Sequence, residues 1–287
     1  MGPIQASGDL LRARATALRH LSWMNAHPVF VRAAAGMLLA TTVAFAAYRT
    51  RALTASGVIA AITVAAVCAA AGWGWAVLLV AFFLSSIALS AIRSDVRSAR
   101  VASVVAKGGA RDAGQVFANG SIFTAAALMS LLLPWDGWTT IGAGALAAAT
   151  SDTWSTEMGT LARRRPRSIL SGRELATGAS GGVTPLGFSA AFSGALFIAC
   201  SAWIVGWTWQ AVLGALVGGF AGSTADSVIG AALQGRRRCS VCDEFTERSI
   251  HVCGNDTIPA GGIAWLDNDV VNLMSTLVGA CVAALLS

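Results

Sequence analysis

A chain of 287 residues that is 55% hydrophobic and only 12% charged carries about half the charge expected of a soluble domain. Water is therefore not the solvent for most of its surface, and a soluble globular enzyme or a disulfide-stapled secreted module is excluded. Net charge is +6, from 20 Lys and Arg against 14 Asp and Glu, and the placement of these cations says more than their sum.

Residues 1–29 form a polar, basic segment containing Arg12, Arg14 and Arg19. It lacks an apolar core followed by a small-residue cleavage site, so a signal peptide is not expected. Residues 30–287 read as a single all-α membrane domain, a polytopic bundle of transmembrane helices. Lipid forces every backbone polar group to be satisfied internally, and apolar stretches of about 17–25 residues can cross as helices. Eight stretches qualify, at 30–48, 52–71, 75–92, 117–133, 138–152, 187–205, 208–232 and 270–286. The fifth is short and ends in polar residues. Eight crossings would place Arg12, Arg14 and Arg19 opposite the other cations. Either the first stretch is not a full crossing, which leaves seven, or the segment before it lies along a membrane surface.

Cations occupy alternate connections. Arg49 and Arg51 precede the second stretch. The loop 93–116 holds Arg93, Arg97, Arg100, Lys107 and Arg111. The loop 153–186 holds Arg163, Arg164, Arg165, Arg167 and Arg173, and the loop 233–269 holds Arg236, Arg237, Arg238 and Arg248. The intervening turns at 72–74, 134–137 and 206–207 contain none, and Trp73, Trp75, Trp135, Trp138, Trp203, Trp207 and Trp209 gather there as an interfacial aromatic belt would. The positive-inside rule then predicts that the basic loops are cytoplasmic; the inner membrane of a bacterium is the expected location.

Two stretches look like copies. Gly144–Thr153 aligns without gaps to Gly218–Ser227, with glycine, alanine, threonine and the aspartates Asp152 and Asp226 coinciding. Each copy is followed by a cationic loop with paired glycines, Gly181-Gly182 and Gly261-Gly262. Both helices are expected to run the same way, and parallel repeats put equivalent residues at equal depth. Gly214, Gly218 and Gly222 recur every fourth residue, a row that continues through Asp226, Gly230 and Gln234 and predicts close helix packing.

Asp152 and Asp226 are the sharpest chemical features, because a carboxylate in a span usually faces a cavity, a partner or an ion. Both are expected near the inner boundary, where plain solvation is the alternative. Glu157 could join them only if the helix ends or bends first. The run Thr177–Thr184, with Ser180, Gly181 and Gly182, opens into a helix and could cradle an anion. Lys107, Arg111, Gln115 and Asn119 line another polar entry to a helix, and Asn268 and Asn272 share a face at the start of the last one. Cys239, Cys242, His251 and Cys253 have spacings compatible with structural Zn²⁺, with Glu247 as a further possible ligand; unligated loop cysteines are the alternative.

Together these motifs resemble the integral membrane family catalogued as domain of unknown function ninety-two, which includes phytyl-phosphate kinase. The carrying stretches are Leu53–Gly57, Arg111–Gly120, Ala149–Gly159, Gly178–Val183, Asp226–Gly230 and Asn268–Asn272. The resemblance implies phosphoryl transfer from a nucleoside triphosphate, CTP in the first instance, to an isoprenyl monophosphate. It implies that Asp152, Glu157 and Asp226 hold Mg²⁺, with Asp152, Asp226 and Arg111 catalytic. Lys107, Gln115, Asn119, Ser180, Gly181, Gly182, Asn268 and Asn272 would contact nucleotide or phosphate. Partners would be the bilayer, the nucleotide and the lipid phosphate; nucleic acid is not expected. An ion- or proton-coupled transporter using the two aspartates, or a non-catalytic scaffold, are the other classes the sequence allows.

The charge alternation is directly testable. In intact cells, a cysteine introduced by Asp136→Cys should react with an impermeant thiol reagent, whereas one introduced by Arg165→Cys should be protected. The reverse pattern would invert the topology.

Overall fold

A computed structural model describes residues 28–92 and 94–287. The basic segment expected over residues 1–29 lies almost wholly outside them, as does Arg93. The described residues form nine helices: α1 (Val29–Arg49), α2 (Ala55–Ala71), α3 (Trp73–Ala91), α4 (Ser94–Val101), α5 (Ala113–Leu132), α6 (Gly137–Gly159), α7 (Pro185–Ile204), α8 (Trp209–Ala232) and α9 (Asn268–Ala284). The chain is a helical membrane protein. Helices α1, α3, α5, α7 and α8 are long and apolar enough to cross a bilayer, while α2 and α9 are shorter apolar helices of 17 residues each.

The helices start where the sequence supplies caps. Thr54, Asp112, Thr184, Thr208 and Asp267 each accept a backbone N–H from the first turn of the helix they open, which satisfies one of the donors a helix leaves orphaned. Asp112 and Gln115 do so reciprocally as a capping box.

Helix α6 is the centre of the bundle, and nearly all of its residues from Thr140 to Ser151 are buried. It differs from the short stretch expected at 138–152 by continuing unbroken for 23 residues, through Asp152 and Glu157 to Gly159. Its alanines and glycines are too small to score as strongly apolar, yet they let neighbours approach to backbone contact. A Cβ on Gly218 would stand 2.5 Å from the Gly279 carbonyl oxygen and 3.2 Å from Gly144 Cα; one on Gly222 would meet Ala148 Cβ at 2.4 Å and the Ser275 carbonyl oxygen at 2.8 Å. Thr140 faces Gly214, Gly144 faces Gly218, and Ala148 faces Gly222. These pairs advance together, so α6 and α8 run parallel and in the register of the repeat alignment. Helix α9 runs against both: Ala283 meets Gly144 and Gly214, while Ser275 meets Gly222.

On its other flanks α6 takes α3, α5 and α7. Trp75 packs on Gly142 and Phe123, and Gly194 lies against Thr150 and Ser151. Helix α1 packs on α2 through Gly36 and Ala69, and Arg32 donates two hydrogen bonds to the Ala70 carbonyl at 3.2 and 2.8 Å. Arg32 thus sits at the end of the bundle opposite Arg111, which bridges to Leu53 at the start of α2.

The loops depart from an all-helical chain. The loop after α6 carries β1 (Arg167–Ser168), paired antiparallel with β2 (Gly182–Val183). The loop after α8 carries β3 (Arg236–Cys239), β4 (Phe245–Thr246) and β5 (Thr257–Gly261), in the order β4-β3-β5. Helix α4 is a short amphipathic piece inside the loop 93–116.

Because the glycine row permits backbone contact, Gly222→Val should cost about 3 kcal/mol or more through overpacking. Thermal unfolding in detergent should show a large fall in Tm for Gly222→Val. Gly108→Ala, at a position with open space around its Cβ, should leave Tm unchanged.

Candidate functional site

The register that pairs Ala148 with Gly222 carries Asp152 and Asp226, one turn further on, to the same level of the bundle. Their side chains come together, each carboxyl acting on the other, and Glu247 acts electrostatically on Asp226. Both aspartates are only partly buried. Two carboxylates in contact repel unless a proton or a cation stands between them. The pair lies toward the end of the bundle where the cationic loops gather.

Those loops close over it. Glu247, just after β4, accepts hydrogen bonds from Ser180 Oγ at 2.7 Å and Gln234 Nε2 at 2.8 Å. Burial pushes its carboxyl pKa up, and the bonds from Ser180, the Ala106 backbone and Gln234 oppose that shift. Gln234, 2% exposed, lies two turns beyond Asp226 on the glycine row. Ser180 is held beside it by Gly181, whose φ of 74° and whose contact with Ala231 exclude any Cβ. The glycine-rich loop is therefore a strap packed on the end of α8.

Asn272 is buried at 8% exposure, and its Oδ1 has no hydrogen-bond partner among the described residues. It stands about one turn loopward of Ser275, the neighbour of Gly222, so it falls at the level of the aspartates. Asn268, on the same face, is exposed at the first turn of α9, and the cap of that helix is Asp267. The two asparagines are thus separated by depth.

Several expected site residues are engaged elsewhere. Because α6 does not bend, Glu157 points away from Asp152; it pairs with Arg97 and accepts from Ser90 Oγ at 2.6 Å. Gln115 is held in the Asp112 capping box, and Asn119 donates to the Gln115 carbonyl oxygen at 3.0 Å. Lys107 bridges Asp269 at 2.5 Å and Asp112 at 3.0 Å, tying the starts of α5 and α9 together. The Asp269 carboxylate holds the Lys107 ammonium pKa up, and the Gln115 N–H, ahead of Lys107, holds the Asp112 carboxyl down. Arg111 differs. Its guanidinium has no hydrogen-bond or ion-pair partner among the described residues, and burial, aided by nearby Arg97, lowers its pKa. A partly buried cation beside a second cation is an unfilled demand for an anion.

Glu247, Gln234 and Arg97 are the residues of this region that motif reading does not single out as site groups. Gln234 carries a signal, its place on the row from Gly214 through Asp226. Glu247 carries none of that kind; the sequence offers it to the Cys/His cluster, and the fold turns it toward Asp226 instead. That cluster does assemble, with the ligand atoms of Cys239, Cys242, His251 and Cys253 all within 4.8 Å of one another.

Comparison with known proteins agrees with this architecture. The model of the family described as integral membrane protein DUF92 matches residues 38–280. Protein PGR of Arabidopsis thaliana is 30% identical over 88% of this chain and 95% of its own length. An uncharacterized membrane protein, MJ0933, of Methanocaldococcus jannaschii is 28% identical over 75% of this chain and 77% of its own. No solved structure matches.

If like-charge contact is the dominant local strain, neutralising one partner relieves it. Asp152→Asn and Asp226→Asn should each fold and show a Tm in detergent at pH 8 equal to or above that of the parent. A clear loss of Tm in both would mean that the carboxylates hold the bundle together.

Proposed function

We propose that this chain, which belongs to the DUF92 family of integral membrane proteins, is a membrane-embedded kinase. It would move a phosphoryl group from a nucleoside triphosphate, CTP in the first instance, to an isoprenyl monophosphate. The observation that carries this reading is the pair Asp152 and Asp226, in contact on parallel helices with Glu247 beside them, at the end of the bundle where cationic loops converge.

In the transfer, an oxygen of the acceptor phosphate forms a bond to the γ-phosphorus, and the bond from that phosphorus to the β,γ-bridging oxygen breaks. The products are a nucleoside diphosphate and a prenyl diphosphate. A phosphate monoester has a second pKa near 6 and is already ionised at neutral pH, so no strong general base is required. The difficulty is bringing two polyanions together, which calls for fixed positive charge and preorganised donors.

Residues of this chain fit those tasks. Arg111, unpaired and backed by Arg97, would draw phosphate oxygens to the loop end. The Asn272 amide, buried without a partner for its Oδ1, would read a polar group of the nucleotide. Asp152 and Asp226, joined by Glu247 rather than by Glu157, would hold Mg²⁺; the repulsion of two touching carboxylates is the feature that fits a divalent cation. When bound, Mg²⁺ supplies charge neutralisation on phosphate oxygens. An open, largely apolar groove between α5 and α9, lined by Phe117, Ser121, Val270 and Leu273 with Asp269 at its polar end, suits a prenyl tail lying in lipid. With the basic loops facing the cytoplasm, the nucleotide reaches the site from water and the acceptor from the bilayer. Transport through the bundle is less well supported, since the aspartates lie toward the loop end rather than at mid-span.

Purified protein in nanodiscs, given labelled CTP or ATP with a series of prenyl monophosphates, should form the diphosphate. Asp152→Asn and Asp226→Asn should each lower turnover about a thousandfold, equivalent to about 4 kcal/mol of transition-state stabilisation. Near-normal turnover in either variant would overturn the shared site. Absence of transfer from every donor, with substrate-driven cation flux in vesicles, would replace the kinase by a transporter.

A further inference from the structure

We propose that Cys239, Cys242, His251 and Cys253 bind one Zn²⁺ ion, and that this ion holds together the lobe that delivers Glu247 to the aspartate pair. The ion's presence does not depend on the kinase reading.

The lobe 236–261 has no hydrophobic core of its own. Its buried residues are Cys239, Thr246, His251 and Thr257, while Val241, Phe245, Ile250, Val252 and Ile258 are all more than half exposed. Strands of four, two and five residues with no apolar interior cannot offset the entropy of ordering them. Modules of this size are held by a disulfide or a metal. The structure holds no disulfide here: Cys239, Cys242 and Cys253 are all free, and the Cys239 and Cys253 sulfurs stand 3.6 Å apart.

The geometry suits a tetrahedral ion. Zinc bonds of about 2.0–2.3 Å give tetrahedron edges of roughly 3.3–3.8 Å. Cys239 and Cys253 sulfurs at 3.6 Å, and His251 Nδ1 at 3.2 Å from Cys253 Sγ, are close to such edges. The groups around the ligands are those a thiolate site requires. The Cys242 N–H donates to Cys239 Sγ at 3.5 Å, and Asn255 Nδ2 donates to Cys253 Sγ at 3.3 Å. His251 presents Nδ1 to Cys253 Sγ, and its Nε2 lies 3.5 Å from the Glu244 carboxylate, on the side where a metal-bound imidazole takes an outer-sphere partner. Three sulfurs and one nitrogen form a closed, soft set that selects Zn²⁺ over hard cations such as Mg²⁺.

The lobe reaches the site through a single segment. Thr246 Oγ1 and the Glu247 N–H both donate to the Val104 carbonyl, at 3.1 and 2.8 Å, and Arg248 Nη1 donates to the Val105 carbonyl at 3.3 Å. Side-chain bonds from Ser180 and Gln234 complete the placement of Glu247. Residues 245–248 are thus clamped between the metal-stapled sheet and the loop before α5.

Elemental analysis of full-length protein, purified in detergent and washed with EDTA, should find about one zinc per chain. Cys239→Ser and Cys253→Ser should hold less than a tenth of that, and Cys200→Ser, on α7 away from the cluster, should keep the full amount. Where a Ser variant fails to accumulate, titration of the parent with a mercurial thiol reagent should release one zinc per chain. Zinc below a tenth of an equivalent in parent protein prepared with zinc present, or iron in its place, would overturn the assignment. Hydrogen exchange tests the second half. Stripping the metal should abolish protection of residues 245–248 while leaving α6 and α8 protected; unchanged protection at 245–248 would show that zinc does not position Glu247.

Discussion

Backbone contact along one row of glycines and alanines is the constraint on which the arrangement depends. In lipid there is no hydrophobic force to press helices together, so association rests on packing, and packing is tightest where side chains vanish. Gly144, Gly218 and Gly279 bring α6, α8 and α9 to one line of contact. Once that contact is made, neither helix can slide without a Cβ meeting a carbonyl, and the vertical position of every residue beyond it is fixed. Asp152 and Asp226 oppose each other because Ala148 and Gly222 do. The chemical pairing is a consequence of steric register, one turn removed.

That placement works against stability locally, and the surroundings show how it is tolerated. Two carboxyl groups meet toward the end of the bundle that carries the polar loops, and both keep partial exposure. The cations are kept apart from them by dedicated partners. Glu157 takes Arg97, while Asp269 and Asp112 take Lys107. Arg111 alone among these cations is left without a carboxylate. The loop end of the bundle therefore holds an acidic group and, apart from it, a guanidinium with no carboxylate partner. Separated charges of that kind persist at a site with an exogenous counter-ion for each.

The repeat was legible in the sequence because the contact register and the alignment are the same thing. A helix that packs on its own copy through small residues must carry those residues at matching positions, and the gapless match of Gly144–Thr153 with Gly218–Ser227 records it. Helix α6 was legible only in part. Its polar last two turns, from Asp152 to Gly159, read as a loop by hydropathy, yet they continue the helix because Ser90, Ser85 and Arg97 offer polar neighbours to Glu157 and Trp154. Roles assigned by helical spacing held less well at helix starts. Gln115 sits where a capping residue belongs, and local bonds to Asp112 win over a distant ligand. Glu247 was not legible as a neighbour of Asp226, because nothing in its local sequence encodes contact with a helix that ended many residues earlier. Its position follows from a lobe whose fold is set by cysteines and histidine, not by apolar periodicity.

The three cationic loops are consequently one structure rather than three. The loop before α5 accepts hydrogen bonds from the β4 segment at Val104 and Val105, and the strap at Ser180 bonds Glu247 of that same segment. Arg100 reaches back to the carbonyls of Thr160 and Ala162 at the end of α6. Each loop thus contacts the other two at points within a few residues of a titratable group. Helix ends fixed by glycine register give the aspartates their depth, and interlocked loops give the opposing charges their distance. The first is settled as the bundle packs. The second is settled only when the last loop has folded, so the acidic group is complete only in the whole chain.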